Sequence, residues 1–543
     1  MSKKIILSFS LILLSFHVFS QIRVSPDGIK LERTLQLINN LYVDDVNSEK
    51  LTESAIRAML RELDPHSSYL NKEEVRSMNE PLQGNFDGIG ISFNMLTDTL
   101  YVIDVISGGP SQKVGMMPGD KILFVNDTLI AGVKMDTQDV IKKLRGPKGT
   151  SVNVKVLRRG APELIEFRII RDKIPIYSID AAYMVSGDIG YIRLSRFGAT
   201  SVEEFLKAEK ELSAKGMKRM ILDLTGNGGG ILQTATEISD EFLGKGKLIV
   251  YTEGKNQPRY TMDATAKGQF ETGDLVVLVD ETSASASEIL AGAVQDWDRA
   301  VVVGRRTFGK GLVQRQLPLT DGTMIRLTVA KYYTPTGRSI QKPYEVGDLD
   351  GYNRDFINRF NHGELMHADS IHFPDSLKYQ TLITKRAVYG GGGIMPDYFV
   401  PIDTTAVSKL HRELIAKGIV NKFTISEVDN NRKHILKQYP DVEKFKQNYQ
   451  LSPEMILKIK EMAANDKIEW NEEEFNRSKN LLFTQLKALI ARDVYDTSAY
   501  FRIMNDESDI FKEGLKIISS PNRYQNLLKG IGSNVNINTQ KRK

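Results

Sequence analysis

Apolar residues recur at helical spacing through residues 28–80, with Ile38, Leu41 and Tyr42 in one stretch and Ile56, Met59, Leu60 and Leu63 in a second. Asp64-Pro65-His66-Ser67-Ser68 then reads as a turn. From Asn85 to about Arg171 the pattern tightens into short strands between Gly and Pro turns. Leu100–Ile106, Val152–Leu157 and Leu164–Ile170 fit strands there, and Thr137–Leu144 fits a helix behind Asp136. At Ile189 the rhythm changes again. Ile189–Leu194, Met220–Leu224 and Leu275–Val279 are short apolar runs, each followed by helical spacing, and Ala300–Val303 is a further strand. Strand–helix alternation of this kind predicts an α/β fold with a mixed, largely parallel sheet. Ser201 with Glu204 fits a capping box opening the first of these helices. Met324–Tyr333 is a long strand after the Asp321-Gly322 turn. Residues 344–388 are polar and irregular, an insertion or lid, and from 402 onward the spacing is helical and charged. Ser452-Pro453 starts one helix there, and Asn471 with Glu474 caps another bearing Phe475, Leu482, Leu486 and Leu489.

These shifts divide the 543 residues into an N-terminal helical region (21–83), a β-rich domain (84–171), an α/β core (172–343, resumed at 389–401), the 344–388 insertion and a C-terminal helical extension (402–543). The extension reads as a structural appendage. Residues 1–20 stand apart: Lys3 and Lys4 precede an apolar run from Ile5 to Phe19, ending in Ser20. That run falls short of the ~20 residues a membrane-spanning helix needs, and it has the form of a secretory signal. The expectation is an exported chain, in the periplasm of a Gram-negative envelope. Lys and Arg number 73 against 68 Asp and Glu, too slight an excess to suggest a nucleic-acid partner. The absence of cysteine excludes a thiol nucleophile, disulfides and Cys-ligated zinc. None of the seven histidines lies between His66 and His362, so a site built wholly from that stretch works without imidazole.

Three segments at strand ends carry candidate chemistry, because open α/β sheets bind ligands beyond the carboxyl ends of their strands. Asp223-Leu224-Thr225-Gly226-Asn227-Gly228-Gly229-Gly230 leads into a helix, so its backbone N–H groups form an anion cradle, or simply a tight turn. It does not fit GxGxxG, since Ile231 or Gln233 stands at the third glycine. Thr282-Ser283-Ala284-Ser285-Ala286-Ser287-Glu288 offers an accessible hydroxyl, although Ser285-x-x-Glu288 also satisfies the capping-box rule. Gly304–Gly311 matches the opening of a phosphate-binding P-loop, but Gly311 replaces the Ser or Thr that holds Mg²⁺, and the following Val313–Leu317 alternates as a strand. Nucleotide binding is therefore not expected.

Taken together, the segments place Ser285 at a helix start and Lys310 in a Gly-flanked loop without a nearby histidine. A serine hydroxyl needs a base, and lysine serves only as the free amine. From a reference pKa of about 10.4, half-neutrality at pH 7 requires about 4.6 kcal/mol of differential stabilisation. Burial away from carboxylates supplies shifts of that kind, and Phe308–Leu312 contains no acid.

With these residues in view, the chain resembles the carboxy-terminal processing peptidases, or tail-specific proteases, a family of Ser/Lys peptidases. The resemblance covers roughly 35–343 and resumes at Gly390–Pro401. It rests on Leu63–Ser67, Asp223–Gly230, Ser283–Ala293, Thr307–Gly311, Gln314 and Tyr332–Gln341. It implies Ser285 as nucleophile, Lys310 as general base and Gln314 as the residue that orients the lysine. The backbone N–H of Ala286 and one from Gly229 or Gly230 would then form the oxyanion hole. Thr225-Gly226 and Gly228 depart from the family pattern, which commonly has Arg-Asn and Pro there, and a third glycine makes this loop floppier. The β-rich domain resembles a PDZ domain, with Gly88-Ile89-Gly90-Ile91 as its carboxylate-binding loop and Gly109–Asn126 as its central signature. PDZ domains take peptides by strand addition at a sheet edge.

The resemblance implies an exported serine endopeptidase whose partners are protein or peptide substrates with exposed C-termini, with no metal or organic cofactor. A non-catalytic PDZ scaffold on the same fold is the alternative from another class. An ATP-dependent enzyme is the third, disfavoured by Gly311. The 344–388 insertion and the helical extension fall outside the matched motifs and are candidates for an adaptor contact, homo-oligomerisation or gating.

Overall fold

Uninterrupted apolar strands need cover on both faces, and the core of this chain supplies it. A computed structural model describes residues 25–96 and 98–535; the secretory signal read at 1–20 lies outside them. The central sheet runs Ile179–Ser186, Ile189–Leu194, Arg219–Asp223, Leu275–Val279, Val301–Gly304 and Tyr398–Phe399, in that spatial order. Its first pair is antiparallel and the other four pairings are parallel, as the strand–helix alternation predicts. One face packs on the helices Ser201–Ala214, Leu232–Asp240 and Ala286–Asp296, around Phe205, Ile238, Phe242, Leu290 and Val294. The other face is closed by Asp509–Ile518 and Pro521–Leu528, whose Phe511, Ile517, Ile518 and Tyr524 bury against Ile221, Val276, Leu278 and Val301. The end of the extension is thus half of the core's cover rather than an appendage. Periodicity alone gives no sign of this, because an amphipathic helix does not reveal which surface it meets.

Residues 91–170 form a separate antiparallel sheet with its own core, including Leu100, Ile122, Val154 and Ile169, and with Thr137–Leu144 capped by Asp136 as expected. Most of the extension has a third core, with Phe423, Phe445, Leu482 and Leu486 inside it. Among the described residues no helix is long and apolar enough to cross a membrane.

Several local expectations are revised. Ser201 and Glu204 do not form a capping box: the Ser201 hydroxyl accepts from Gly198 N–H (2.7 Å), and the Glu204 carboxylate accepts from Ser178 and Ile179 N–H (2.7 and 3.1 Å). The helix begins at Ser201 itself with Thr200 at the N-cap, so Glu204 lies one position too far along for the box and takes the Thr200 hydroxyl (2.6 Å) as well as the distant N–H groups. After the Asp64 turn, Ser68–Leu70 forms a strand pairing with Met324–Arg326. The 344–388 insertion is packed, with helices Leu349–Asn353 and Asp355–Asn361 and a small cluster around Ile371 and Phe373. Part of it is tied to the core through Arg359, which donates to the carbonyls of Arg306 and Thr307.

Candidate active site

The three serines of Ser283–Ser287 have different fates, set by where each side chain points. Ser283 donates to Leu224 O (2.8 Å) and Ser287 to Asn227 O (2.8 Å), both wholly buried, tying the serine segment to the glycine loop. Ser285 is half-buried, and its backbone sits at φ +56°, ψ −111°, a region a residue with a Cβ rarely occupies. Held strain of this kind clusters at functional sites, and here it occurs at the turn from strand to helix. Ser285 lines a cavity of about 510 Å³ together with Lys310, Gln314, Gly228–Gly230, Ala286 and Arg326. Met78, Pro81, Leu82, Ile231, Leu232, Ile289, Leu312 and Val313 supply apolar wall, and none of the lining residues is Asp or Glu.

The two halves of the candidate dyad are registered by one carboxylate. Glu288 is fully buried, and its Oε2 accepts from the backbone N–H of Ser285 (2.8 Å) and of Lys310 (2.9 Å). Its Oε1 accepts from Gly309 N–H (2.7 Å) and the Thr307 hydroxyl (2.5 Å). The capping-box reading captures the Ser285 arm, whereas the arms to 307–310 cross a loop that sequence spacing does not describe. Burial pushes Glu288 up to about 7 against the pull of these donors. Tyr332, also buried, places its hydroxyl against the carbonyl oxygens of Ser285 (3.1 Å) and Lys310.

Lys310 is pushed down to about 8, first by burial and then by the Arg326 guanidinium, while Glu288 and Asp64 pull the other way. The expectation of a lysine away from acids is thus met only in part. Depression wins because desolvation is the larger effect. His66, from outside the histidine-free stretch, comes close enough to Lys310 to feel its charge. Burial above all holds it down at about 4, and its Nε2 pairs with the Tyr352 hydroxyl at 2.9 Å. It does not line the cavity. Gln314 lines the cavity, but its Nε2 donates to Thr328 Oγ1 (3.3 Å), which donates in turn to Asp64 Oδ1 (3.0 Å). The expected bond from Gln314 to the lysine is not among its contacts in this structure.

In the glycine loop, a Cβ on Gly229 would lie 2.7 Å from Ala284 O, 2.8 Å from Ser285 Cβ and 2.9 Å from Ala286 N, so this backbone lies directly against the serine. Gly229 N–H is taken by Asn227 Oδ1 at 2.9 Å. Gly230 N–H and Ala286 N–H have no hydrogen-bond acceptor among the described residues, and both remain able to donate to a ligand. Ala286 starts the helix Ala286–Asp296, whose dipole adds positive potential at that point.

In the β-rich domain, Gly88, Ile89, Gly90 and Ile91 line a smaller cavity of about 130 Å³ with Phe93, Ile141 and Leu144. Gly90 takes φ +77°, and Ile89 O accepts from Ser111 N–H (3.0 Å) and its hydroxyl (2.7 Å). Arg145, which sequence reasoning missed, lies at the same cavity with its guanidinium over the Phe86 ring at 4.5 Å.

Four family models match the chain: "Peptidase family S41" over 188–348, "PDZ domain" over 88–169, "Activating protease CtpB N-terminal domain" over 20–74 and a family of unknown function over 410–496. The carboxy-terminal processing protease CtpB of Bacillus subtilis (strain 168) is 37% identical over 58% of this chain and 65% of its own length. A carboxy-terminal-processing protease of Bartonella bacilliformis is 36% identical over 56% of this chain and 70% of its own. This chain therefore spans about two thirds of the length of those relatives. A solved photosystem II D1 C-terminal processing protease is 29% identical, with a TM-score of 0.34, over 59% of this chain and 91% of that one. Identity at this level across such a span makes the chain a member of peptidase family S41, the C-terminal processing proteases, with a PDZ domain and a CtpB-like N-terminal domain.

Proposed function

We propose that this chain is an exported serine endopeptidase that recognises protein substrates by their C-terminal tails and cleaves them with Ser285 and Lys310. One observation carries the reading: a hydroxyl on a strained turn and an amine with a depressed pKa open into one acid-free cavity, their backbones held on a single buried carboxylate. In the reaction Ser285 Oγ attacks the peptide carbonyl carbon while Lys310 Nζ takes the hydroxyl proton. The C–N bond breaks as that proton passes to the leaving nitrogen. Water then attacks the ester, giving one proton to Lys310, which passes it to Ser285 Oγ as the acyl C–O bond breaks; the product leaves as the carboxylic acid and loses its remaining proton to solvent. Ala286 N–H and Gly230 N–H are the donors for the oxyanion, since Gly229 N–H is already engaged. The PDZ-type cavity at Gly88–Ile91 takes the free tail. Lys3, Lys4 and the apolar run to Phe19 support export to the periplasm.

The test is cleavage of an unstructured peptide with an apolar free C-terminus, compared with the same peptide amidated. Wild type should cut the free-tailed peptide faster, and Ser285→Ala and Lys310→Ala should each abolish cleavage. Normal turnover by Ser285→Ala would overturn the mechanism.

A further inference from the structure

The loop that packs Gly229 against Ser285 and lines the cavity with Gly230 has glycine at 226, 228, 229 and 230, so it gains little stiffness from its own backbone. Its fixation comes from outside. Arg193, on the neighbouring strand Ile189–Leu194, donates from Nη1 to Thr225 Oγ1 (2.8 Å) and from Nη2 to Thr225 O (2.7 Å). Nη1 also pairs with Asp223 Oδ2 at 2.6 Å. Asp223 accepts from Thr225 N–H (2.8 Å) and hydroxyl (2.7 Å), closing a ring of bonds at the start of the loop. A Cβ on Gly226 would lie 3.4 Å from Arg193 Nη2, so the guanidinium lies along the loop backbone. Two residues further on, Asn227 is bound to Leu194 O through its side chain (2.8 Å) and to Gly229 N–H (2.9 Å).

Arg193 is itself held from the C-terminal extension. Its guanidinium carbon lies 4.5 Å from the ring centroid of Phe501, on the helix Thr497–Met504, and its Nε is buried without a hydrogen-bond partner. Phe501 thus covers the face of the guanidinium, while Asp180 Oδ2 attracts its Nε edge from 3.7 Å. The helix is anchored independently: Asn505, its C-cap, donates to the buried Tyr183 hydroxyl at 2.8 Å, and Arg502 lies over the Tyr183 ring at 4.5 Å.

Building on the peptidase reading above, we propose that Phe501 is a positioning residue for catalysis: stacked on Arg193, it fixes Thr225 and so aims the Gly230 N–H at the oxyanion. The C-terminal extension is then part of the catalytic apparatus. A cation held over the face of a half-buried ring is oriented as well as stabilised, and small displacements of a donor from its place in the transition state cost rate rather than substrate binding.

The experiment uses the full chain with Phe501→Ala, Phe501→Leu and Phe501→Tyr, an unstructured apolar-tailed peptide, and a peptide boronic acid that forms a tetrahedral adduct on serine. Phe501→Leu keeps apolar packing and removes the ring face, so it reports even if the alanine variant fails to fold. The expected result is a fall in kcat of about tenfold for Leu and Ala with KM within about twofold of wild type. Boronic acid affinity should fall by the same factor as kcat/KM, with the pH midpoint of activity unmoved because Lys310 is untouched. Phe501→Tyr should restore all of these. Wild-type kcat in the leucine variant, a loss confined to KM, a shifted pH midpoint or failure of tyrosine to rescue would overturn the proposal. If wild type neither cleaves the peptide nor binds the boronic acid, the peptidase reading fails first and this inference falls with it; cleavage by wild type with an indifferent Phe501 overturns the inference alone.

Discussion

Ser285 and Lys310 donate their backbone N–H groups to the same oxygen, Glu288 Oε2, at 2.8 and 2.9 Å. The turn of the proposed nucleophile and the loop of the proposed base are thereby one hydrogen-bonded unit, although the two come from different ends of the helix–strand connection. Glu288→Gln keeps the side chain's shape but replaces one acceptor oxygen with an NH₂ that faces donors. At least one buried N–H is then unpaired, at about 1–3 kcal/mol. The expected outcome is a lower thermal unfolding temperature together with a fall in kcat of about ten- to hundredfold, since the dyad loses its register. Measuring kcat and unfolding on the same preparation checks it; unchanged kcat would show that the register does not depend on this carboxylate.

As the proposed base, Lys310 would act only as the free amine, and its pKa is depressed to about 8 from 10.5. Activity should therefore rise with pH and reach half its plateau near pH 8. Arg326 is a cause of the depression that can be removed without touching the dyad. Arg326→Gln is expected to move the midpoint of kcat/KM upward, and Arg326→Lys to hold it nearer wild type. The linked effect on stability has a defined sign. Between about 8 and 10.5 the folded chain binds fewer protons at this lysine than the unfolded chain does, so its contribution to stability improves as pH rises through that window. A pH–rate profile of the two variants, read beside a pH series of unfolding, separates the two effects.

Glycines 228 and 229 are adjacent but should respond in opposite ways. A Cβ at Gly229 meets Ala284 O and Ala286 N at 2.7 and 2.9 Å, and the residue takes φ +99°. Gly229→Ala is expected to lower kcat by about 10²–10³, the scale of a lost oxyanion donor. Gly228 has nothing within 4 Å of the same position and no positive φ. Gly228→Ala should retain activity and gain about 0.4–1 kcal/mol of stability by restricting the unfolded chain. Equal loss in both variants would mean that the loop must flex to work.

What could be read from the residues follows the range of the forces involved. Leu275–Val279, Met324–Tyr333, Thr137–Leu144 and the helix opening at Ser452-Pro453 lie where short-range signals put them, because unbroken apolar runs and capping side chains act within a few residues. Ser285 and Lys310 are legible in separate strand-end segments and Gln314 through the family resemblance, and the fold gathers all three at one cavity. What stayed hidden is long-range. Glu288 reaching across to Thr307 and Gly309, His66 arriving beside Lys310 and Phe501 lying on Arg193 each join segments that no periodicity links. Glu204 shows the converse: a helix-start motif legible at Ser201 is out of register by one residue, and the carboxylate serves Thr200 locally and Ser178 and Ile179 at long range.

The loop Gly88–Ile91, proposed to hold the substrate's free tail, is braced from outside its cavity. Ser111 fixes Ile89 O with two bonds, from its N–H at 3.0 Å and its hydroxyl at 2.7 Å. In a trans peptide the next N–H, that of Gly90, points the opposite way. Ser111 thus sets the direction of a donor at the cavity lined by Gly88–Ile91, although it does not line that cavity itself. Ser111→Ala removes one of the two bonds, and the hydroxyl's share is about 1 kcal/mol. A free-tailed peptide should bind the variant about fivefold more weakly, because 1.4 kcal/mol corresponds to a factor of ten. Amidating the peptide's C-terminus should cost wild type more than the substitution does, since it removes the charge the donors face. Cleavage of an already amidated peptide should be the same in wild type and variant, since the change does not reach Ser285. Calorimetric titration with the two peptides decides it: equal affinity of wild type for free and amidated tails would show that Gly88–Ile91 is not a carboxylate site.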